Sequence, residues 1–184
     1  MNNVFNFDPK LPYPKLLNSH KFSDYRGELT RVFDMVLVGW DAKQVNVVHN
    51  NTGVLRGMHW QIWPRPTAKA ITCIAGKIQD VIVDLRPYSS TYMKKYLFWL
   101  GGNDGQVLVV PEGFAHGFYA YAGNPVVVYG LSACYDAEYE RSFNFQDSLI
   151  SHLWDIDKLI ISEKDRYAPM IQDLRPEDLE FRPQ

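Results

Sequence analysis

The chain has 184 residues, 46% of them hydrophobic, which is enough to bury the core of one domain. A formal net charge of −2 argues against a nucleic-acid binder and a basic membrane-surface protein, but allows a local basic pocket for one small anion. No apolar run reaches membrane-spanning length, and Met1 to Asn6 do not form the basic-then-apolar start of a signal peptide. Cys73 and Cys134 are too few for a disulfide scaffold and lack zinc spacing. Both lie in strand-like segments, so two buried, inert thiols and a cytoplasmic location are expected.

Residues 1–22, with prolines at 9, 12 and 14, read as an N-terminal arm with one short strand. Ser23 to Gly27 is a turn. Glu28 to Phe33 alternates polar with apolar residues, as a half-buried strand does. Gln44 to His49 is strand-like, and Asn50 to Gly53 forms a turn. Ala70 to Ala75 and Ile78 to Leu85 flank Gly76-Lys77, which reads as a hairpin. Further strands are expected over Tyr92 to Leu100, Gln106 to Val110, Phe118 to Tyr121 and Pro125 to Cys134. Residues 146–184 change character, with helical turns expected at Ser148 to Trp154 and Ser162 to Tyr167. Many short, evenly spaced strands with Gly and Pro between them indicate one all-β domain over residues 1–184, a cupin-type jelly roll.

The stretch Gly53 to Gln61 places Arg56 and His59 in a Gly-punctuated apolar run. In a regular strand, Leu55, Gly57, His59 and Gln61 share one face, and Arg56, Met58 and Trp60 the other. Gly57 is expected to leave room for a ligand beside the imidazole. Other reactive side chains recur in the strands: Arg26, His49, Lys69, Asp84, Arg86, His116, Tyr129 and Tyr135. Taken singly, each is more readily a packing, surface or salt-bridge residue, and Asp84 with Arg86 reads as a local ion pair. Collected in the mouth of a jelly roll, they form a site, because buried ionisable groups are costly unless paired or used.

Pro111 to His116 resembles the second metal motif of cupins, but His59 is followed by Trp60-Gln61 rather than by a second His. Two scattered histidines do not make a metal site, so none is expected. There is no Gly-x-Ser-x-Gly elbow and no glycine-rich phosphate loop. Acid–base chemistry by His, Asp, Lys and Tyr remains.

Several motifs occur together in order. They are Asp24 to Gly27, Gly53 to Gln61, Lys69 ahead of Gly76, Asp80 to Arg86, Pro111 to Phe118, Tyr129 with Tyr135, and Ser162 to Asp165. In this combination the chain resembles the dTDP-4-dehydrorhamnose 3,5-epimerase family from about Ser23 to Pro169. The resemblance implies a homodimeric jelly roll without metal or other cofactor, acting on a nucleoside-diphosphate 4-keto-6-deoxy sugar. It implies His59 as base, Asp165 as its carboxylate, Tyr129 as acid and Lys69 at the keto oxygen. Arg26, Arg31, His49, Arg56, Gln61, His116 and Tyr135 are the expected substrate-binding set.

The chemistry is coherent. A C4 ketone acidifies the hydrogens on C3 and C5, and His is the usual base for such a step. Lys69 would stabilise the enolate oxygen, and a Tyr hydroxyl is protonated at pH 7. Arg56 and Arg26 suit a diphosphate.

The sequence departs from the family at Arg26-Gly27-Glu28-Leu29-Thr30-Arg31, where members that bind thymidine nucleotides carry Phe and Glu at the positions of Leu29 and Arg31. Arg31 facing guanine, hence a GDP-sugar, is one reading; Arg31 facing solvent or a phosphate is the other. The motifs leave open hexose or heptose, and inversion of C3, C5 or both. Competing functions are a 3,4-ketoisomerase and a non-catalytic sugar-nucleotide-binding jelly roll.

Overall fold

A computed structural model of the chain describes residues 13–34 and 38–181. Most of the expected N-terminal arm therefore lies outside the described residues. The strands are β1 (Lys15–Asn18), β2 (His20–Asp24), β3 (Gly27–Arg31), β4 (Gln44–His49), β5 (Leu55–Gln61), β6 (Lys69–Asp84), β7 (Lys95–Gly101), β8 (Gln106–Val110), β9 (Phe114–Leu131) and β10 (Glu140–Ser142). The jelly roll expected from the sequence is the fold that forms.

Its spine is the antiparallel pair β6 and β9, paired from Lys69↔Leu131 to Asp84↔Phe114 with register shifts between Cys73 and Ile78. One half of this spine carries β8, β1 and β4; the other carries β7, β5 and β10. The two halves face each other as the two sheets. Ile71, Cys73, Ile78, Ile82, Leu108, Phe114, Phe118 and Val127 fill the space between them.

The expected hairpin at Gly76-Lys77 does not form; β6 runs through it as one bent strand. Gly76 has φ +70°, and a Cβ there would lie 2.6 Å from the Ala122 carbonyl oxygen. The glycine permits a close crossing of two bent strands rather than a reversal of the chain. The expected strands 118–121 and 125–134 are likewise one strand, β9, with Gly123 at φ +73° in its bend.

These register shifts change which residues face inward. Lys69, Ile71 and Cys73 point into the interior before the bend in β6, and Ile78, Asp80 and Ile82 after it. In β9 the inward set changes from Phe114, His116 and Phe118 to Val127 and Tyr129. β9 ends at Leu131, so Cys134 lies beyond it and is exposed; only Cys73 is the buried thiol expected.

The C-terminal segment forms 3₁₀ turns at Ser151–Leu153, Ile171–Asp173 and Pro176–Leu179, and one short helix, α1 (Glu163–Arg166). It covers the outer face of the second sheet, packing Leu153, Trp154, Ile171 and Leu179 on Trp60, Val81, Val83 and Leu85. Trp60 is fully buried and donates its Nε1–H to the Asp178 carbonyl at 2.9 Å. Its truncation to Ala would cost about 3–5 kcal/mol. β2 and β3 form a separate two-stranded sheet. Among the described residues no helix is long and apolar enough to cross a membrane.

Candidate active site

A cavity of roughly 560 Å³ opens between the sheets. His59, Lys69, His116, Tyr129 and Asp165 line it, together with Arg56, Gln61 and Tyr135.

His59 and His116 are register partners across β5 and β9. Between Arg56 and His59 the register of β5 shifts. Arg56 and His59 therefore both face the cavity, although strict alternation would have separated them. Gly57 does not leave room for a ligand beside the imidazole, as its sequence context suggested. A Cβ at Gly57 would lie 2.5 Å from Gly117 Cα, so the space belongs to the crossing strand.

Asp165 reaches His59 from α1. Ser162 caps that helix, its hydroxyl accepting the Asp165 backbone N–H at 3.1 Å. The Ile160 carbonyl accepts from Leu55 N at 2.9 Å, which ties the approach to α1 onto the start of β5. Asp165 Oδ1 then lies 2.6 Å from His59 Nε2. With Nε2–H bonded to the carboxylate, His59 Nδ1 carries the lone pair. Burial pushes the Asp165 carboxyl up, but the bond from His59 and those from Gly57 and Ser162 outweigh it and hold the group below the usual carboxylate range.

His116 forms a second dyad, Nε2 to Asp80 Oδ2 at 2.9 Å, with Asp80 fully buried. Burial lowers the His116 pKa against the pull of Asp80, with Lys69 and His59 lowering it further. Lys69 donates to the His59 carbonyl at 3.0 Å. Burial lowers its pKa to about 8, partly opposed by Glu140 and Asp80. Burial raises the Tyr129 pKa, while neighbouring Asn46 and the charge of Arg56 pull the other way.

Arg56 is held by its Nε–H bond to Asn50 Oδ1 at 2.9 Å. Gln61 is buried with its amide engaged by protein: it donates to Thr67 Oγ1 at 2.6 Å and accepts from Asp136 N at 2.7 Å. Tyr135 lies on the loop after β9, not on the regular strand that was expected, and its hydroxyl donates to Glu140 at 3.0 Å.

Three expected site residues are not in the cavity. His49 is exposed on β4, on the face opposite Asn46. Arg26 and Arg31 lie on the β2–β3 hairpin. Arg26 pairs with Asp24, and Arg31 stacks over the Phe22 ring at 5.0 Å. Arg86 forms the expected local pair with Asp84 and plays no part in the cavity wall.

Polar cavity residues that were not among the expected site residues include Gln44, Asn46, Glu140 and Lys164. Glu140 pairs with Lys164 at the rim. Gln44 and Asn46 had a signal in their period-two spacing on a recognised strand. Among the described residues, no group of three or more His, Cys, Asp or Glu side chains is placed to hold a metal ion.

Comparison with known proteins agrees with this geometry. The family model described as dTDP-4-dehydrorhamnose 3,5-epimerase matches residues 9–173. A dTDP-4-dehydrorhamnose 3,5-epimerase from Sinorhizobium fredii is 34% identical over 167 residues, covering 87% of this chain and 86% of the relative. Among solved structures, a dTDP-4-dehydrorhamnose 3,5-epimerase from Elizabethkingia anophelis superimposes with TM-score 0.80 at 34% identity, covering 89% of this chain and 95% of the other. A dTDP-6-deoxy-D-glucose-3,5-epimerase from Legionella pneumophila, in complex with dTDP-4-keto-L-rhamnose, superimposes with TM-score 0.87 at 26% identity, covering 97% and 98%. A match over most of its length, on a jelly roll whose cavity joins a His–Asp dyad to a Lys and a Tyr, means that this chain belongs to the dTDP-4-dehydrorhamnose 3,5-epimerase family and is an epimerase.

Proposed function

We propose that the substrate is a nucleoside-diphosphate 4-keto-6-deoxy sugar and that C3 and C5 are both inverted through an enolate. The observation that carries this reading is His59 on one sheet, paired with Asp165 of α1, with Tyr129 on the other sheet and Lys69 lining the same cavity. His59 Nδ1 takes the proton from the carbon beside the ketone. The C–H electron pair becomes the enolate double bond, and the negative charge moves to O4. The Lys69 ammonium stabilises that oxygen as a preorganised cation. Tyr129 delivers its hydroxyl proton to the opposite face of the carbon. Exchange with solvent then resets the imidazolium and the phenolate. The low pKa of Asp165 keeps it anionic beside the imidazolium.

The test is incubation with a 4-keto-6-deoxy sugar on dTDP and on GDP in heavy water. Deuterium at C3 and C5 with inverted configuration and the ketone still at C4 is the expected result. A ketone moved to C3 means a ketoisomerase, and neither exchange nor product means a binding protein. The named relatives point to thymidine, whereas Arg31 in place of an acidic residue points to guanine, and relative turnover on the two nucleotides decides. His59 and His116 each use Nε2 on a carboxylate, so activity is expected to survive dialysis against a chelator. Loss restored by zinc, iron or manganese would refute these roles.

A homodimer of single-domain subunits belongs to the same proposal. The β2–β3 hairpin exposes Phe22 at 52%, Leu29 at 59% and Tyr25 at 98%, beside the cations Arg26 and Arg31. Such a surface suits burial against a second copy, where the two arginines would add diphosphate or base contacts to that copy's cavity. Mass measurement in solution tests the dimer. Arg26→Ala is expected to raise KM with little change in kcat.

A further inference from the structure

A phenol that serves as general acid must point its one proton at the substrate. Its oxygen can also accept, and the neighbouring group decides which way the bond runs. Asn46 on β4 is the register partner of Tyr129 on β9, and both line the cavity. Asn46 is in turn bonded to Gln44, two residues back on the same face, whose Nε2 donates to Asn46 Oδ1 at 3.0 Å. Gln44 Oε1 accepts the Tyr135 backbone N–H at 2.9 Å.

The direction of this chain follows from its far end. A backbone N–H only donates, so Gln44 must present its oxygen to Tyr135. Its amide nitrogen then faces Asn46, which must answer with Oδ1. The Asn46 nitrogen is left to face the hydroxyl of Tyr129, its register partner in the same cavity. We propose that Tyr135 N–H, Gln44 and Asn46 form a polarised relay that makes the Tyr129 oxygen an acceptor and leaves its proton for the substrate. Gln44 and Asn46 are thus positioning residues for protonation, a role that rests on the assignment of Tyr129 as the acid. After transfer, the same Asn46 N–H stabilises the phenolate, which opposes the effect of burial.

The relay separates two events at one carbon. Deprotonation by His59 washes deuterium into the sugar; delivery by Tyr129 inverts the centre. The measured quantity is inversion per exchange event in heavy water, which a general loss of packing would leave unmoved.

Gln44→Glu keeps an acceptor for Tyr135 N–H but offers a second acceptor to Asn46. Asn46 must then turn its nitrogen toward residue 44 and its oxygen toward Tyr129, which diverts the phenolic proton. Inversion per exchange is expected to fall about tenfold, the weight of one hydrogen bond to a charged group. Gln44→Met has similar length and neither donor nor acceptor. It leaves Asn46 free to keep its nitrogen on Tyr129, and its ratio is expected within about threefold of wild type. Asn46→Asp, which has no N–H to donate, should match Gln44→Glu and serves if that variant does not fold.

A Met variant as impaired as the Glu variant, or more so, would mean that the direction of the Gln44–Asn46 bond does not set the Tyr129 proton, and would overturn the relay. Wild-type ratios in both Gln44→Glu and Asn46→Asp, with Tyr129→Phe still losing inversion, would overturn the relay and leave Tyr129 as the acid. Normal inversion in Tyr129→Phe would remove the acid assignment itself, and the relay with it.

Discussion

The cavity holds two histidine–carboxylate pairs side by side that differ in burial and in where the carboxylate comes from. His59 and His116 face each other across β5 and β9, and each bonds its carboxylate through Nε2. His116 draws Asp80 from within the sheets, from the neighbouring strand β6. Both partners are sealed, with side chains 9% and 0% exposed. Burial there outweighs the carboxylate and lowers the imidazole pKa, so His116 is held as a neutral hydrogen-bonding group. His59 draws Asp165 from α1, outside the sheets, and its own side chain is 24% exposed to the cavity. The Asp165 carboxyl is held below its usual range and remains an anion. On the proposed mechanism the same two residue types give a proton acceptor in one place and a fixed binding group in the other. Burial and the origin of the carboxylate make the difference.

The largest expected effect removes the proposed base. His59→Asn should lower deuterium exchange at both C3 and C5 by ~10²–10⁴-fold, the usual weight of a general base. Wild-type exchange in this variant would end the distinction between the dyads. Asp165→Asn keeps the imidazole but weakens support for its charged form. A fall in kcat of about 10²-fold, smaller than that of His59→Asn, is expected. A silent Asp165→Asn would place His59 in the same class as His116.

Asp80→Asn sharpens the contrast from the other side. His116 is proposed to bind rather than to transfer protons, so KM should rise by about tenfold or less while kcat changes little. A collapse of kcat with unchanged KM would make the buried dyad the catalytic one. A further check lies in the alkaline limb of kcat. Lys69, lowered to about 8, must keep its proton to stabilise the enolate, so activity should fall above about pH 8. Lys69→Met should abolish that limb together with most of the activity.

The smallest expected effect is on stability. His116 has a lower pKa folded than unfolded, so the unfolded chain takes up its proton first on acidification. Stability from this group is full above the unfolded value of about 6.5 and declines as pH falls below it. Asp165, also lowered, contributes above its unfolded value near 4 and loses that only as pH falls through its folded value. Thermal unfolding between pH 7 and 5 should therefore show an acid decline that is reduced in His116→Gln and retained in Asp165→Asn. An equal decline in all three proteins would contradict the burial assigned to His116.

Strand propensity, alternation and turn residues were sufficient for an all-β jelly roll, and motif order for the family. β8 was legible to the residue, because Gln106 to Val110 is bounded by Gly105 and Pro111. His59, Lys69, His116, Tyr129 and Asp165 were legible as reactive groups in a recognised order, and the cavity collects all five. What local pattern could not decide is which way side chains face after a strand bends. Gly76 looked like a hairpin and is a crossing point; Arg56 looked opposed to His59 and shares its cavity. On β4 the usual preference is inverted, with Val45 at 53% and Val47 at 58% exposed while Gln44 and Asn46 face inward.

Nor does spacing along the chain reveal that Asp165, 106 residues from His59, comes within 2.6 Å of it. Composition and period report local backbone preference, which is a property of short segments. Register shifts, the crossing of β6 and β9 and the docking of α1 depend on contacts between distant segments. Those contacts exist only once the two sheets have closed, so which dyad is buried and which is open was a decision of the tertiary structure.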